Sequence, residues 1–177
     1  MTSEQRFNCM SHNRAKNTGP ELKLRRVLWN LGFRYLVNDK RLPGTPDIVL
    51  PKYHTVIFVH GCFWHGHKDC PNYSTPKSNT EFWKAKIQRN QQRDQEVWRQ
   101  LEAKGWNVLI VWECELKKDR LEGTIEQVAS TLNQNRNTFL YLKRARKEAR
   151  ALYLEERRQR KEREAALAAE LNQKYPR

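Results

Sequence analysis

The feature that most constrains this chain is a run of metal-ligating side chains at residues 62–70, with the sequence CFWHGHKDC. The run holds two thiols and two imidazoles within nine residues, and the polar segment around it, residues 61–79, has no hydrophobic core of its own. Zn²⁺ binds four nitrogen or sulfur ligands tetrahedrally, and such closed sites order small loops outright. The run therefore predicts a structural zinc site.

Two ligand sets are compatible with the sequence. Cys114 follows an apolar strand at residues 106–112, which should lie beside the strand at residues 55–59 and so bring Cys114 to the sheet edge at which Cys62 begins the loop. The favoured set is therefore Cys62, His67, Cys70 and Cys114. The alternative set closes within the loop and consists of Cys62, His65, His67 and Cys70. A third interpretation is inert core cysteines with surface histidines, and Cys9 is expected to be spare.

Hydrophobic periodicity predicts the element order helix, three strands, helix, strand, helix, which is a mixed β-sheet flanked by helices in the α/β class. The first three strands should form an antiparallel meander packed on the first helix. Thr80 is the predicted N-cap of the second helix, and the apolar character of residues 106–112 favours a position in the sheet interior. The predicted helices are residues 19–31, 80–104 and 124–132, and the predicted strands are residues 33–37, 47–50, 55–59 and 106–112.

The formal net charge of +14 suggests a polyanionic partner, because Lys and Arg displace condensed counterions from phosphates, although charge can also serve solubility alone. The charge is uneven, since residues 141–177 carry twelve Lys and Arg against six Asp and Glu. This tail is rich in Ala, Leu, Glu, Arg and Lys, which predicts a charged C-terminal helix. Either the helix is simply solvated, or it is a supplementary phosphate-binding arm.

The sequence argues against a membrane protein or an exported protein. No segment approaches the roughly 18–20 uninterrupted apolar residues of a membrane span. Residues 1–17 lack the apolar region of a secretory signal. We therefore expect no membrane partner.

A candidate catalytic site combines one carboxylate with two histidines. Asp47 follows residues 44–46 at the start of a strand, and a carboxylate fixed on a sheet can hold Mg²⁺ beside a phosphodiester. His60 and His65 lie beside the end of the adjacent strand, and histidine can act as a general base near neutral pH. Most Pro-Asp metallonucleases place a second acid and a lysine on that strand, which residues 57–60 lack. Either the site is not a nuclease, or histidine replaces the lysine and a backbone carbonyl supplies a metal ligand.

The sequence resembles the very-short-patch repair (Vsr-type) DNA mismatch endonucleases over about residues 8–133. The matching stretches are residues 42–47 (LPGTPD), 56–65 (VIFVHGCFWH), 80–83 (TEFW), 86–94 (KIQRNQQRD) and 105–114 (GWNVLIVWEC). The resemblance implies a restriction-endonuclease-like core with a structural zinc site. It also implies a Mg²⁺-dependent endonuclease that nicks duplex DNA 5′ to the thymine of a T·G mismatch left by deamination of 5-methylcytosine.

The resemblance assigns roles to the candidate catalytic residues. Asp47 would bind Mg²⁺, together with the backbone carbonyl of Val59, where some relatives have a hydroxyl residue. His65 would be the base for the attacking water, and His60 would assist at the scissile phosphate. Glu21 would orient the site, although as a helical N-terminal acid it could act only on the helix dipole. The implied zinc ligands are Cys62, His67, Cys70 and Cys114.

Large aromatic side chains beside the zinc loop are candidates for opening the duplex. Metal ligation would hold Phe63 and Trp64 on a rigid rim, and such side chains can wedge between base pairs at a weak step. The alternative is that these aromatics, and Trp83 in particular, belong to the core. Asn90 and Asp94 interrupt the apolar stripe of the second helix and are predicted to position the site. The predicted DNA contacts are Met10, Phe63, Trp64, Trp83 and Asn90.

The predicted organisation is a DNA-contacting arm (residues 1–19), a Vsr-like endonuclease domain (20–138) and a basic helical tail (139–177) without a family counterpart. The implied partner is double-stranded DNA with a T·G mismatch, with room for other mismatch-repair proteins. We expect a monomer in the bacterial cytoplasm, associated with the nucleoid. The alternatives are a restriction-type endonuclease that cuts both strands and a non-catalytic zinc-stabilised DNA-binding module.

Overall fold

The computed structural model describes residues 16–174, with side chains described up to residue 165. The predictions for Cys9, Met10 and most of the N-terminal arm therefore lie outside the described residues. In chain order the elements are α1 (Gly19–Asn30), β1 (Leu36–Val37), β2 (Ile48–Leu50), a 3₁₀ turn (Pro51–Tyr53), β3 (Thr55–His60), α2 (Thr80–Ala103), β4 (Asn107–Trp112) and α3 (Leu121–Lys174).

The four strands form one sheet in the order β1-β2-β3-β4. The first three are antiparallel neighbours, and β4 pairs parallel to β3. Parallel neighbours need a crossover connection, and here α2 supplies it. The predicted meander, the mixed α/β sheet and the charged C-terminal helix are confirmed.

The two faces of the sheet pack on different helices. On one face, Leu24 and Leu28 of α1 and Leu132 of α3 lie in the same buried cluster as side chains of β2 and β3. On the other face, Leu101 of α2 packs with Val56 of β3. Burial on both faces explains why the central strands are apolar throughout.

The prediction of an interior position for the fourth strand is wrong, because β4 lies at the sheet edge beyond β3. Its alternate side chains nevertheless face both buried clusters: Val108 and Ile110 join the α2 side, and Leu109 and Val111 join the α1 side. The apolar run therefore reflects helices on both faces rather than hydrogen-bonded strands on both sides.

Three element ends differ from the predictions. The first strand is shorter than residues 33–37, because Phe33 turns into the core and only Leu36–Val37 pairs with β2. Thr80 is the first residue of α2, and the N-cap is Asn79 at φ 52°. Residues 124–132 belong to the much longer α3, since no Gly or Pro follows Gly123 until Pro176.

The chain divides into two compact units, Met1–Arg136 and Asn137–Arg177. The first contains the sheet, and the described part of the second is helical. None of the helices in the described part of the chain has the length and apolar character needed to span a bilayer.

The parallel pair of β3 and β4 positions the site. The two strands run in register, with His60 opposite Trp112, so the segments that follow them leave the same edge of the sheet. Just beyond the strands, the Glu113 N–H donates to the His60 carbonyl at 2.9 Å. The sheet therefore delivers Cys62 and Cys114 to one place.

Candidate active site and metal centre

Asp47 lies immediately before β2, with its side chain directed at β3. The Val59 N–H donates to Asp47 Oδ2 at 2.8 Å. Because the N–H and C=O of one strand residue point to the same side, the Val59 carbonyl faces this carboxylate as well. Burial raises the pKa of Asp47 to about 6, against the opposing hydrogen bond from Val59. A nearby cation would favour the charged form of this carboxylate.

His60 and His65 lie face to face beside Asp47. Their rings stack with centroids 3.7 Å apart and planes 15° apart. Burial, assisted by the neighbouring His65, lowers the pKa of His60 to about 3. His60 is therefore neutral at physiological pH and can accept or donate a hydrogen bond without carrying charge.

Asp94, on α2, orients the ring of His65. His65 Nδ1 and Asp94 Oδ2 are 2.5 Å apart. Burial opposes the charged form of Asp94, but the hydrogen bond and charge of His65 outweigh it and lower the pKa of Asp94. Asp94 is thus the acceptor, Nδ1–H is the donor, and a neutral His65 keeps its Nε2 lone pair free for a proton. The polar interruption at Asp94 therefore serves the site.

His60, His65 and Asp94 also form a group whose ligand atoms lie within 4.8 Å of one another and could hold a metal ion. Two imidazoles and one carboxylate suit a transition metal better than Mg²⁺, which prefers oxygen ligands. In the present geometry His65 and Asp94 bind each other, which matches an oriented base.

Glu21 is buried and connects to Asp47 through Arg25. Glu21 Oε2 accepts hydrogen bonds from Arg25 Nη2 at 3.0 Å and from the Asn17 N–H at 2.9 Å, and Oε1 accepts one from the Thr18 hydroxyl at 2.8 Å. Arg25 Nη2 also donates to the Asp47 carbonyl at 2.9 Å. Glu21 therefore both closes the start of α1 and fixes the backbone of Asp47. Arg25 was not among the residues predicted from the sequence, where its i,i+4 spacing from Glu21 was the available signal.

These residues open into one cleft of about 1120 Å³. Asp47, His60 and His65 line it, and the basic side chains of Lys16 and Arg93 lie on its wall. A cleft of this size can admit a phosphodiester backbone, and Lys16 and Arg93 are the cationic side chains of its lining that would attract phosphate.

A second group of ligands lies beyond the end of β3. Its members are buried or partly buried, and their ligand atoms lie within 4.8 Å of one another. His67 Nδ1 is 3.4 Å from Cys62 Sγ and 3.5 Å from Cys114 Sγ. His65, the member of the alternative set, instead bonds Asp94. The group is Cys62, His67, Cys70 and Cys114.

The donor chemistry of this Cys/His group fits a metal ion. Burial raises the pKa of the Cys62 and Cys114 thiols, so without a cation these thiols stay protonated. A bound cation reverses this preference by binding the thiolates. Three sulfurs and one nitrogen around a single point form a closed four-ligand set.

Comparison with known proteins identifies the family. The family model of the DNA mismatch endonuclease Vsr matches residues 1–72. The type II nicking enzyme V.NmeAIP of Neisseria meningitidis serogroup A is 46% identical over 132 residues, which cover 72% of this chain and 94% of that protein. The chain belongs to the Vsr endonuclease family. This membership confirms the resemblance seen in the sequence and, with it, an endonuclease that acts on DNA.

Two further relatives support the same family assignment. The type II nicking enzyme V.XorIIP of Xanthomonas oryzae is 47% identical over 116 residues, covering 66% of this chain and 85% of that protein. The DNA mismatch endonuclease Vsr of Escherichia coli K12 is 45% identical over 102 residues, covering 58% of this chain and 65% of that protein. Among solved structures, the catalytic domain of homing endonuclease I-Bth0305I aligns at a TM-score of 0.46 and 18% identity, covering 67% of this chain and 98% of that chain.

The aromatic residues of this Vsr protein meet on one rim beside the cleft. Phe63 and Trp64 each pack edge-on against Trp83 of α2, with ring centroids 5.2 Å and 6.0 Å apart. All three are only partly buried. Phe82, which was not among the predicted DNA contacts, packs on Trp83 and is 53% exposed. The rim is thus neither core nor fully exposed.

Polar side chains of α2 hold the backbone of the loop that follows β3. Asn90 Nδ2 donates to the Trp64 carbonyl at 2.9 Å, and Gln91 Nε2 donates to the His65 carbonyl at 3.1 Å. Gly66 has φ 61°, and a Cβ there would lie 2.8 Å from Ile87. The loop therefore lies too close to α2 for any larger residue at position 66. In the structure Asn90 bonds the backbone of Trp64, and a contact between Asn90 and DNA stays a prediction.

Two residues at the end of β4 support the Cys/His group from the other side. The Trp112 ring stacks on His67 with centroids 4.0 Å apart and planes 2° apart. Glu113 Oε1 accepts the Cys62 N–H at 2.8 Å, and Glu113 also lines the catalytic cleft. In the sequence these two positions stand out only as part of the WEC motif.

Proposed function

We propose that this protein is a Mg²⁺-dependent endonuclease that nicks one strand of duplex DNA 5′ to the thymine of a T·G mismatch. The observation that carries the proposal is the cleft in which Asp47 faces the stacked pair of His60 and His65, with His65 oriented by Asp94. A metal-binding carboxylate beside an oriented base is the minimum equipment for phosphodiester hydrolysis by water.

The proton and charge movements can be assigned to residues of this chain. His65 Nε2 accepts the proton of the attacking water while Asp94 stabilises the imidazolium that forms. The water oxygen bonds to phosphorus as the P–O ester bond to the leaving sugar breaks, and the released sugar oxygen takes a proton from solvent. His60 stays neutral and hydrogen-bonds the scissile phosphate. Asp47 and the Val59 carbonyl would hold Mg²⁺, which when bound neutralises phosphate charge and lowers the pKa of a bound water. Arg25 and Glu21 keep the backbone of Asp47 in place.

We propose Zn²⁺ as the metal of the Cys/His group. Three thiolates and one imidazole are the ligand chemistry of a structural zinc site. The ligands come from the loop after β3 and from Cys114 after β4, so the metal would fix the loop that carries Trp64 and His65. Zinc would serve the reaction by placing residues rather than by contacting substrate.

Selectivity for T·G is proposed to reside in the aromatic rim. Phe63, Trp64 and Trp83 brace one another, so the rim can press between bases without collapsing. Unstacking a base step requires a few kcal/mol, and a mismatched pair requires less. The predicted contacts of Asn90 and Met10 with DNA would add to this selectivity.

The cellular setting follows from the same proposal. Every residue assigned above lies in one chain, so a monomer suffices. The named relatives are bacterial, and we propose that the protein acts on chromosomal DNA in the bacterial cytoplasm, at the nucleoid. Other mismatch-repair proteins would then act on the nicked product.

A nicking assay on paired substrates tests the function. Duplexes labelled on either strand, with a T·G or a T·A pair at one position, are incubated with full-length protein and Mg²⁺. We expect a single cut 5′ to the mismatched thymine, with a preference of about 100-fold over the matched duplex, from about 2–3 kcal/mol of avoided unstacking. Cutting of both strands in matched DNA would instead identify a restriction-type enzyme. Binding without any cut would identify a non-catalytic module.

The dyad of His65 and Asp94 predicts two graded losses of activity. His65→Ala should lower the nicking rate by about 10²–10⁴-fold, the usual contribution of a general base. Asp94→Asn should lower it less, because the amide oxygen can still accept from the His65 ring while the imidazolium that forms loses its carboxylate partner. Single-turnover rates at saturating DNA and Mg²⁺ measure both effects.

The matched control is Glu96→Gln, which removes an exposed carboxylate from the same helix. Its single-turnover nicking rate should equal that of the parent. Asp94→Asn should have little further effect when His65 is already alanine, since the two residues act as one unit. Full additivity of the two substitutions would contradict the proposed dyad.

A further inference from the structure

The second compact unit carries a regular pattern of positive charge. Residues 143–161 of α3 contain nine basic residues, and six of these are separated by 3, 1, 3, 7 and 4 positions. With 3.6 residues per turn, they fall within an arc of about 100° on one side of the helix. All six are exposed. We call them the basic face: Lys143, Arg146, Lys147, Arg150, Arg157 and Lys161.

The carboxylates between residues 143 and 161 lie away from the basic face. By the same helical geometry, Glu148, Glu155 and Glu156 fall about 130° or more from the centre of the basic face. Besides the six basic residues, Leu154 is the one residue between 143 and 161 that falls in the arc of the basic face. The signs of charge are therefore separated around the helix instead of alternating along it.

The ion pairs of this part of α3 are made by arginines outside the basic face. Arg158, outside the basic face, pairs with Glu155 at 2.7 Å and with Glu162 at 3.8 Å. Arg160 pairs with Glu164 at 2.9 Å. Among the side chains that the structure describes, no carboxylate pairs with any member of the basic face. A helix needing only solvation and i,i+4 support would intersperse its charges.

We propose that the basic face binds the phosphate backbone of duplex DNA as a second contact that does not depend on base sequence. This step rests on the proposed function, which makes duplex DNA the polyanion available to the chain. The first and last of the six cations are 18 positions apart, about 27 Å of helix, which is the length of about eight base pairs. Lys and Arg at such spacing neutralise successive phosphates and release their counterions.

The test compares two variants of full-length protein that carry the same reduced charge. The first, K143Q/R146Q/K147Q/R150Q, removes four members of the basic face. The control, R144Q/R158Q/R160Q/R163Q, removes four arginines from outside it. Glutamine preserves helix propensity, and circular dichroism checks that both remain helical. Fluorescence anisotropy without Mg²⁺ measures the Kd for T·G and matched duplexes over a series of KCl concentrations.

The slope of log K against log salt should become flatter in the basic-face variant by about 0.9 for each phosphate that it no longer neutralises. The total change in slope should be about 2–4. It should be the same for the T·G and the matched duplex. The control should change the slope by less than about 1, and the nicking rate of the basic-face variant at saturating DNA should match that of the parent. Equal slope changes in both variants would overturn the proposal, because charge alone would then be acting. Weaker binding of the T·G duplex alone would overturn it as well.

Failure of the proposed function has a different signature. A parent protein that binds duplex DNA with a steep salt slope but never nicks would reject the nuclease mechanism, while the basic-face variant still reports on this surface. A parent that nicks, with an unchanged slope in the basic-face variant, would reject only the second contact.

Discussion

Replacement of Asp47 by asparagine should reduce the nicking rate by about 10³-fold and, at the same time, make the metal-free protein harder to unfold at neutral pH. The rate falls because the neutral amide no longer holds Mg²⁺. A metal ion at this position would stabilise the transition state by several kcal/mol. Stability rises because the parent buries a carboxylate whose pKa burial has raised to about 6. Asparagine keeps an oxygen acceptor for the Val59 N–H without the charge.

The sign of the stability effect depends on pH. The folded parent holds a proton that the unfolded chain releases, so the parent loses stability as pH rises from the unfolded-state pKa of Asp47 through about 6. The advantage of the variant should therefore reach about 3 kcal/mol at about pH 8 and vanish below about pH 4. Thermal unfolding in Mg²⁺-free buffer without chelator measures it.

Added Mg²⁺ supplies the internal control for Asp47. Saturating Mg²⁺ should raise the Tm of the parent and leave that of the variant unchanged, because a ligand stabilises only the state that binds it. A variant with reduced activity and reduced stability would show that Asp47 is structural, and a variant that nicks normally would remove it from the mechanism.

Replacement of Cys114 by serine should abolish metal binding at the Cys/His group and lower the Tm by about 10 °C or more. A structural metal contributes its binding free energy directly to folding, and removal of such a site is among the few changes that exceed about 4 kcal/mol. Serine leaves an incomplete ligand set next to Cys62 and His67. Metal stoichiometry by elemental analysis, together with thermal unfolding, measures both effects.

The control for this experiment is Cys9→Ser, since Cys9 is expected to be spare. It should bind one zinc per chain and unfold like the parent. Retention of full zinc content by Cys114→Ser would point to the alternative ligand set that uses His65. Nicking by Cys114→Ser should fall together with stability, because the Cys/His group holds the loop that carries His65.

The fold was predictable wherever a hydrophobic periodicity ends at a residue that stops a helix, such as glycine. Gly32 follows the first helix at φ 87°, and Gly105 follows the second at φ 83°, as their sequence context indicates. The edge position of β4 was not predictable, because helices on both faces produce the same apolar run as strands on both sides. The short first strand was equally hidden, since Phe33 suits either a strand or a core turn.

In the candidate site, too, groupings of residues that are close in sequence were predictable, whereas most contacts between residues far apart in sequence were not. Cys62, His67 and Cys70 are close in sequence, and Cys114 was reachable from the pairing of two strands. Arg25 and Glu113 were missed because their importance arises from partners far along the chain: Arg25 bonds the Asp47 carbonyl, and Glu113 bonds the Cys62 N–H. A charged residue in a helix or after a strand gives no sign of such a distant partner.

The parallel pairing of β3 and β4 also sets the order in which this protein can mature. His67 and Cys114 are 47 residues apart in sequence and meet only after α2 has crossed the sheet. Closure of so long a loop is slow and entropically unfavourable until the crossover is complete. A growing chain therefore cannot assemble the Cys/His group early, and the loop carrying His65 lacks its anchor until then. Maturation of the nuclease is thus coupled to the long-range pairing of β3 with β4.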